Sequence, residues 1–563
     1  MGRGVRKSLT RDRANLSFFI VVIFFAIFTV IVLTEIFLID ERSRSGGGHG
    51  SRYPPSRLHH EYDDNQPSAQ QAEDYLIYHA GADDSVGVSL HRGPQLPESY
   101  LRQPTAAPKQ ASVAGNVENR LPPLSNITAH DGKWQAVTGT RYKFFVFSAY
   151  YEKRGPRAVR IIAATKTRGP ERVWCRMWQP SNSSNAASIQ SISVPGRVKV
   201  IRENWNLKYS ACFILCPLRD NQSVPSSVSI VSRLRIPPTN HLLVHNADGN
   251  YSLNTSFQSN AQIANIPNKM AVCVKPLHFN YDQSLKILEF IELNSLLGIN
   301  HFFLYNDTAS AEVSCILQDY VKQKRVTVLP WKLDMVSQKE IRTEGLFAAL
   351  NDCLYRTMYQ YSHIALIDLD EFIVPRHNDT LQEFIQWMGK RLITRSTGSY
   401  SFQNAFFYLQ WPDDFTWGGE DAFETNLMTL HKTRRRAKLH PHKQRSKYIC
   451  RPEFVVEVGN HFVWEFIPGH GTLNVPSDAA IMHHYRVCEF GGDDCIKSPS
   501  VVDRTMCRYR DRLINNIRYQ WNRLTPLCGL PEVKARVVVT PKPANNLNVV
   551  EVLQAPPLNH IRR

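Results

Sequence analysis

Hydrophobic residues form one long uninterrupted run near the N-terminus of the chain. Residues 16–34 carry no charge, and their only polar side chains are Ser17, Thr29 and Thr34. As a helix this run would extend roughly 28 Å, close to the thickness of the hydrocarbon core of a bilayer. We therefore predict a transmembrane helix over residues 16–39. A cleaved signal peptide is disfavoured because the apolar run is long and no Ala-x-Ala-like site follows it.

The charges that flank this run predict its orientation. Basic residues precede it in excess over acidic ones: Arg3, Arg6, Lys7, Arg11 and Arg13 against Asp12. Because the more positive side of such a helix stays in the cytosol, residues 1–15 are predicted to be a cytosolic tail. Every residue after the helix would then be lumenal, as in a single-pass type II membrane protein.

The pattern beyond the apolar run predicts a stem and then a β-rich domain. Residues 40–135 are rich in Gly, Ser, Pro, Gln, His and Asp, which is typical of a flexible lumenal stem. Between residues 136 and 265, short aromatic or β-branched runs alternate with Gly and Pro. This rhythm predicts short strands in a small β-sandwich-like accessory domain.

A different pattern occupies residues 266–535, where apolar strands alternate with helices. Strands are predicted to start near residues 270, 301, 325 and 363, and helices to span 283–297, 311–323 and 338–359. This alternation predicts an α/β domain with a doubly wound, mostly parallel sheet. Ligands of such sheets bind at the carboxyl ends of the strands. Residues 536–563 are predicted to be a C-terminal tail.

Charge, sequons and cysteines narrow the class of protein. The chain has 563 residues and a formal net charge of +17, which indicates an anionic partner. Lumenal topology excludes nucleic acid as that partner. All eleven cysteines lie beyond the anchor, where disulfides can form, and an odd number leaves at least one thiol free or paired between chains. Seven predicted glycosylation sites also lie there: Asn126, Asn182, Asn221, Asn250, Asn254, Asn306 and Asn378.

Three acidic residues stand at the end of the fourth predicted strand of the α/β domain. Asp368, Asp370 and Glu371 follow an apolar run. Uncompensated carboxylates at a buried strand end are costly unless they are paired or bind a metal. If the strand continued through them, the two aspartates would point the same way, about 6.6–7 Å apart. One could ligate Mn²⁺ or Mg²⁺ directly, while the other reaches it through water or binds a ribose hydroxyl.

The segment Ile364-Ala-Leu-Ile-Asp-Leu-Asp-Glu-Phe-Ile-Val-Pro375 resembles the metal-binding signature of glycosyltransferase family 92. Two further segments carry the resemblance, Leu293-Asn-Ser-Leu-Leu-Gly-Ile-Asn-His-Phe-Phe-Leu-Tyr-Asn306 and His484-Tyr485-Arg486, and together they cover roughly residues 270–525. The resemblance implies a GT-A-type fold and inverting transfer of a sugar, with β-linked galactose expected, from a UDP-sugar to a glycan acceptor. With the anchor, it predicts a Golgi membrane enzyme whose catalytic domain is lumenal.

The resemblance also implies roles for individual positions. Asp368, Asp370 and His484 are expected to hold Mn²⁺ or Mg²⁺, with His483 a near-equal alternative to His484. The expected donor-binding residues are Lys275, Asp368, Glu371, Lys447 and Arg486. Inverting transfer needs a base at the acceptor hydroxyl. Five acids are candidates for it: Asp413, Asp414, Glu420, Asp421 and Glu465.

A basic run and two alternative functions stay open. Residues 431–447 carry eight Lys or Arg side chains and no acid. They are either a solvated loop or a segment in which Lys447 closes over the donor diphosphate and the outer arginines meet an anionic acceptor or lipid headgroups. One alternative function is a type II carbohydrate-binding or adhesion protein with an inactive transferase domain. The other is a metal-dependent phosphodiesterase, which would usually need more ligands near the acids.

Overall fold

The computed structural model describes residues 91–92, 121–122, 127–179, 190–220, 222–247, 268–415, 421–488, 495–535 and 550–551. All of them belong to one compact unit, Asp63–Arg563. The predicted anchor at residues 16–39 lies outside the described residues, as do most of the predicted stem and the C-terminal tail. Within the described ranges, no helix is long and apolar enough to cross a membrane.

The N-terminal strands form a closed β-barrel. The strands before residue 250 are β1 (His91–Arg92), β2 (Gln135–Ala136), β3 (Phe145–Glu152), β4 (Ala158–Lys166), β5 (Val173–Gln179), β6 (Gln190–Val200), β7 (Tyr209–Pro217), β8 (Ser227–Val231) and β9 (Leu242–His245). Strands β2 to β9 pair in the order β2-β3-β4-β7-β6-β5-β8-β9, and β9 also pairs with β3. The region is β-rich, as its short apolar runs indicate.

The barrel closes because two strands each belong to both of its sheets. Residues 190–196 of β6 pair with β5, and residues 197–200 pair with β7. Likewise, β9 pairs first with β8 and then with β3. A strand that switches sheets in this way makes a corner between them. The predicted two-sheet sandwich is therefore corrected to a barrel.

The second half of the chain is an α/β domain, as predicted. Its first strands are β10 (Met270–Cys273), β11 (His301–Asn306), β12 (Val326–Pro330) and β13 (His363–Leu366). The helices that connect them are α1 (Ser284–Leu296), α2 (Ala311–Lys322) and α3 (Leu346–Thr357). These strands are parallel and lie in the order β13-β10-β11-β12. The chain thus runs from β10 through β11 to β12 on one side of β10, and then returns to place β13 on the other side of β10.

The remaining described elements extend this sheet and build three smaller ones. They are β14 (Glu371–Pro375), α4 (Leu381–Arg391), β15 (Thr397–Phe402), β16 (Asn404–Tyr408), α5 (Met428–His431), β17 (Arg434–Arg436), β18 (Lys447–Cys450), β19 (Val455–Val458), β20 (Val463–Phe466), β21 (Gly471–Asn474), β22 (Ala480–Arg486), β23 (Ser500–Val502), α6 (Arg510–Cys528) and β24 (Val550–Glu551). Strands β18, β15, β21 and β1 continue the large sheet beyond β13, with β18 antiparallel to it. A second sheet has the order β14-β22-β16.

Side chains of the central strands alternate between the two faces of the large sheet, and each face carries a hydrophobic core. Met270 and Val272 of β10 face a cluster that includes residues of α1, α2 and α6. Ala271 and Cys273 face a second cluster that includes residues of α3 and of the barrel, such as Phe147 and Phe213. Helices on both faces are the mark of a doubly wound sheet. The barrel covers one face of the α/β domain and shares its core.

Two predicted elements are shorter than the sequence indicates, the helix at its start and the strand at its end. The predicted helix over 338–359 is shortened to α3, because Gln338, Thr343 and Glu344 take positive φ angles of 60°, 36° and 50° that an α-helix cannot contain. The predicted fourth strand ends at Leu366, and the chain turns before the acidic residues. This turn determines the geometry of the site.

The described cysteines form four disulfides: Cys175–Cys216, Cys273–Cys353, Cys315–Cys528 and Cys488–Cys495. Three cysteines are free thiols, Cys212, Cys450 and Cys507. The expectation of disulfides together with at least one unpaired cysteine is confirmed. Of the predicted glycosylation sites, Asn306 closes β11 and Asn378 follows β14, while the other five lie outside the described ranges.

Candidate functional site

Two neighbouring parallel strands deliver a lysine and an aspartate to the same edge of the sheet. Lys275 follows β10, and Asp368 follows β13, which pairs with β10. The chain reverses its winding direction between these two strands, and such a switch point opens a crevice at the carboxyl ends of the strands. The Lys275 Nζ lies 3.2 Å from Asp368 Oδ2. The sequence prediction placed the acids at this edge, and the structure agrees.

The acidic residues occupy a turn rather than an extended strand. The backbone N–H of Glu371 donates to the carbonyl of Asp368 at 3.1 Å. In return, the Asp368 N–H donates to the Glu371 side chain at 2.9 Å. The prediction that Asp368 and Asp370 point the same way from one strand is therefore wrong, because their carboxylates leave a turn toward different partners.

Asp368 is bound by two lysines. Lys447 starts β18, which pairs with β13, and this register brings its Nζ to 3.0 Å from Asp368 Oδ2. The same ammonium lies 3.4 Å from Glu371 Oε2 and donates to Asn460 Oδ1 at 2.8 Å. Burial alone would raise the pKa of the Asp368 carboxyl, but Lys275 and Lys447 hold it well below its ordinary value. Asp368 therefore stays ionised as part of a buried ion-pair network.

Asp370 faces a histidine on the second sheet. Strand β14 pairs with β22 so that Glu371 lies opposite His484. The His484 Nε2 is 3.3 Å from Asp370 Oδ2, and its Nδ1 is 3.4 Å from Glu371 Oε1. Burial would raise the pKa of Asp370, but His484 keeps it below its ordinary value. Burial also raises the pKa of Glu371, against the opposing charge of Lys447.

The neighbouring histidine points away from this pair, because successive side chains of a strand face opposite sides. The His483 ring stacks on Phe407 with centroids 4.5 Å apart, and its Nδ1 lies 3.3 Å from the Tyr485 hydroxyl. Burial lowers the pKa of His483 to about 3. Of the two histidines left open by the sequence, the structure brings His484 to the acids.

The three residues expected to hold a metal are only partly assembled. Among the described residues, no group of three or more His, Cys, Asp and Glu side chains is arranged to hold a metal ion. Asp368 is turned toward its lysines. Asp370 Oδ2 and His484 Nε2, at 3.3 Å, have nearly the spacing of adjacent ligands on one octahedral cation, roughly 3 Å for bonds of about 2.1 Å. These two residues fit a metal whose other ligands come from outside the protein.

The candidate bases are engaged in other contacts. Asp413 lies 2.9 Å from His431 and 2.5 Å from Lys432, and these neighbours outweigh burial and lower its pKa. Asp414 pairs with Arg504, and Asp421 with Arg518. Glu465 lies on β20 against the barrel, 2.5 Å from Lys199 and 2.7 Å from Arg202. Glu420 lies outside the described residues. These contacts orient the four described carboxylates toward cations, so the structure favours none of them as the base.

The basic run is ordered and divides into two parts. His431 and Lys432 pair with Asp413, and the Arg435 Nε lies 2.9 Å from Asp503, so these side chains stabilise the fold. Arg436, Lys438 and His440 instead line an open cleft. A uniformly solvated loop is therefore excluded.

Arg486, an expected donor-binding residue, lies two residues beyond His484 on β22. Its guanidinium packs over the Phe406 ring at 5.5 Å.

Asn460 and Glu203, which the sequence did not identify, help to position Lys447. Asn460 accepts from the Lys447 ammonium, and its own N–H donates to Glu203 of the barrel at 3.0 Å. The Trp464 indole also donates to Glu203 at 3.0 Å. A side chain at Gly459 would collide with Glu203 and Trp464, so the backbone passes close to the carboxylate here. No local motif marks either residue, because Glu203 and Asn460 are 257 positions apart.

Comparison with known proteins places this site in a described family. Glycosyltransferase family 92 matches residues 268–525. The Caenorhabditis elegans beta-1,4-galactosyltransferase galt-1 is 31% identical over 109 residues, which cover 19% of this chain and 25% of that protein. A second family 92 protein of Caenorhabditis elegans is 23% identical over 151 residues, 25% of this chain and 30% of that protein. The chain thus spans about a quarter to a third of the length of these curated relatives.

Some solved structures are similar to part of the chain. One is glucosyl-3-phosphoglycerate synthase from Mycobacterium tuberculosis in complex with Mn²⁺, UDP-glucose and phosphoglyceric acid, which is 12% identical, with 50% of this chain and 87% of that chain covered and a TM-score of 0.22. Another is TarS from S. aureus, 10% identical, with 39% and 60% covered and a TM-score of 0.23. TM-scores this low support no conclusion about this chain. The sequence match and the motif-bearing segments agree, and residues 268–525 are a glycosyltransferase family 92 domain.

Proposed function

We propose that the chain is a metal-dependent inverting glycosyltransferase of GT-A type that transfers galactose from UDP-galactose to a glycan acceptor. One observation carries the proposal: at the switch point of a family 92 domain, Asp370 faces His484 beside an Asp368 that is held by two lysines. A carboxylate, an imidazole and two ammonium groups in one crevice suit a nucleotide diphosphate and its cation.

The donor would bind along the crevice between β10 and β13. Lys275, whose side chain is 18% exposed, is the cation best placed to meet a phosphate oxygen. Lys447 is almost fully buried, so it holds Asp368 and Glu371 in position rather than reaching outward. Asp368 would then accept a hydrogen bond from the ribose, which is the second of the two roles left open for the aspartates.

Asp370 and His484 would hold Mn²⁺ or Mg²⁺, with diphosphate oxygens completing the coordination. When bound, such a cation stabilises the negative charge that develops on the leaving diphosphate. Glu371 faces the second nitrogen of His484, and a carboxylate in this position fixes the orientation of a metal-binding imidazole.

Galactose and the cellular location belong to the proposal as well. The name of the matched galactosyltransferase from Caenorhabditis elegans supports galactose as the transferred sugar. The apolar run at residues 16–34 and the sequons support a type II protein of the Golgi membrane with its catalytic domain in the lumen. The same topology supports a glycan rather than a nucleic acid as the acceptor.

The proposal is tested by incubating the purified full-length protein with a panel of UDP-sugars and Mn²⁺ or Mg²⁺. We expect hydrolysis of UDP-galactose above that of the other donors, transfer to glycans, and loss of both with EDTA. Binding of glycans without turnover of any nucleotide sugar would favour the adhesion protein instead. Hydrolysis of phosphodiesters that are not nucleotide sugars would favour the phosphodiesterase.

Replacing Lys275 with glutamine should weaken donor binding. The change removes one of the two cations beside Asp368, and we expect the KM for the UDP-sugar to rise about tenfold, as for the loss of one charge-assisted hydrogen bond. Lys322→Gln, at an exposed position on α2, is the matched control and should leave KM unchanged. Steady-state kinetics at varied donor concentration measure the effect, and an unchanged KM in the Lys275 variant would place the diphosphate elsewhere.

Glu203 should influence catalysis although it belongs to the barrel. Glu203→Ala removes the acceptor that orients Asn460, and we expect kcat/KM to fall about tenfold, in the range found for residues that orient a site from behind. Glu203→Gln keeps an acceptor oxygen and should restore most of the activity. Equal losses in the two variants would mean that the carboxylate itself, and not its hydrogen bonds, is required.

A further inference from the structure

An open cleft lies beside the candidate site, on the side of the sheet β14-β22-β16. Its lining consists of Gln403, Gln444, Arg436 and residues 438–441. Among these described lining residues, none is acidic. Lys438 is exposed, while Arg436 and His440 are half-buried. Part of the basic run thus forms a concave surface that the donor-binding residues do not use.

The cleft is joined to the site through one aromatic ring. The Phe406 ring lies 4.8 Å from the His440 ring and 5.1 Å from the His484 ring, measured between centroids. Asn404, on the same strand, connects the same two residues: its carbonyl accepts from the His440 N–H at 2.9 Å, and its amide lies 3.4 Å from His484 Nδ1. The cleft therefore begins about one residue's width beyond His484.

The lining of the cleft carries two cations, Arg436 and Lys438, and none of its described residues is acidic. Burial and then four basic neighbours, Arg445, Arg436, His484 and Lys438, lower the pKa of His440 to about 4. Its imidazole is consequently neutral at neutral pH, with Arg436 Nη1 3.4 Å from its Nε2. Concentrated positive charge in a concave site attracts anions. A planar guanidinium with an exposed ammonium close by suits a sulfate, phosphate or carboxylate group.

The position of the cleft separates it from the donor. Asp368, Lys275 and Lys447 lie at the switch point of the large sheet, and Asp370 with His484 comes next. The cleft adjoins β16 and β17, its lining includes none of the expected donor-binding residues, and it is linked to His484 through Phe406 and Asn404. In an inverting reaction the acceptor approaches the sugar from the face opposite the leaving diphosphate. A substrate group in this cleft would accordingly belong to the acceptor.

We propose that the cleft lined by Arg436, Lys438 and His440 binds an anionic group, a sulfate, phosphate or carboxylate, carried by the acceptor glycan. The inference rests on the proposed function for its assignment to the acceptor. Arg436 and Lys438 supply the charge, His440 supplies a ring nitrogen beside the guanidinium, and Gln403 and Gln444 offer amides to neighbouring sugar hydroxyls. Acceptors with such a group are then preferred over their neutral parents.

The test uses purified full-length protein and matched glycan pairs, each a neutral parent and its sulfated, phosphorylated or uronic-acid form. The Arg436→Gln/Lys438→Gln variant is compared with wild type and with Lys322→Gln/Lys390→Gln, a control with the same charge change at exposed positions. We expect kcat/KM for at least one anionic form to exceed that of its parent about tenfold in wild type and control. In the cleft variant this preference should disappear while the donor KM is unchanged.

Calorimetric binding of the same glycan pairs distinguishes a failure of the anion site from a failure of the proposed function. If no nucleotide sugar is turned over but the anionic forms still bind through Arg436 and Lys438, the proposed function fails and the anion site stands. Equal affinity and kcat/KM within every pair in wild type would overturn the anion site. A preference that survives in the cleft variant would overturn it as well, and a raised donor KM in that variant would assign the cleft to the donor diphosphate.

Discussion

Asp370→Ala is expected to lower kcat for transfer by about 10²–10³-fold, the range for removing one group that stabilises charge in a transition state. Asp370 is the carboxylate of the site that faces His484 rather than a lysine. Its side chain is 36% exposed against 16% for Asp368, so folding depends on Asp370 less than on Asp368. The thermal midpoint of the variant should therefore stay close to that of wild type.

Two further variants make this result specific to the pair. His484→Ala should produce a loss of similar size, and the double variant should be little worse than either single one, because residues that act as a unit are not additive. Asp334→Ala, whose side chain is 85% exposed, serves as the control for loss of a carboxylate. Turnover of UDP-galactose that survives Asp370→Ala would remove the pair from the proposed mechanism.

Much of the α/β domain could be predicted because its signals are local. Buried runs such as 270–273 and 301–306 predict strands, and the Ser310 side chain caps the helix that follows by accepting from the Val313 N–H. The shortened α3 shows the limit. Residues 338–345 contain no proline and only one glycine, so their composition does not predict the positive φ angles at Gln338, Thr343 and Glu344.

The site was predictable as a set of residues but not as a geometry. Asp368, Asp370, His484, Lys275 and Lys447 were all named from the motif and its resemblance, and the structure brings them together. Which aspartate meets lysine and which meets histidine depends on the turn after Leu366 and on the register of β14 with β22. Strand register over such distances depends on tertiary packing, which no short pattern reports. The metal-binding and donor-binding roles of these residues stay predictions.

The barrel was the least predictable part, because closure depends on long-range pairing. Short apolar runs predict strands in a sandwich and in a barrel alike, so they do not distinguish the two folds. The deciding features are the length of β6 and the pairing of β9 with β3. The basic run posed a similar problem, since sequence alone could not tell Arg435, buried against Asp503, from Arg436, which lines the cleft.

A buried carboxylate holds the barrel and the α/β domain together. Asp352, on α3, is fully buried and accepts hydrogen bonds from the Ser148 and Tyr150 hydroxyls of the barrel at 2.5 and 2.6 Å. It also accepts from the Tyr305 hydroxyl of β11 at 2.8 Å, and pairs with Arg356 at 2.9 Å. One side chain therefore satisfies polar groups from both halves of the molecule.

Asp352→Ala is expected to lower the free energy of unfolding by about 3–5 kcal/mol, the usual loss when one partner of a buried ion pair is removed. The change leaves three buried hydroxyls without their acceptor, and it leaves the Arg356 guanidinium with Asp131, 2.6 Å away, as its remaining carboxylate partner. Urea denaturation followed by tryptophan fluorescence measures the loss, with Asp334→Ala as a surface control expected to shift stability by less than about 0.5 kcal/mol. The loss of unfolding free energy in Asp352→Asn should fall between the losses in Asp352→Ala and Asp334→Ala, because asparagine keeps one acceptor oxygen but not the charge. If the barrel and the α/β domain were independent, Asp352→Ala would destabilise only one of two separate transitions; because they share a core and this carboxylate, we expect a single transition displaced as a whole.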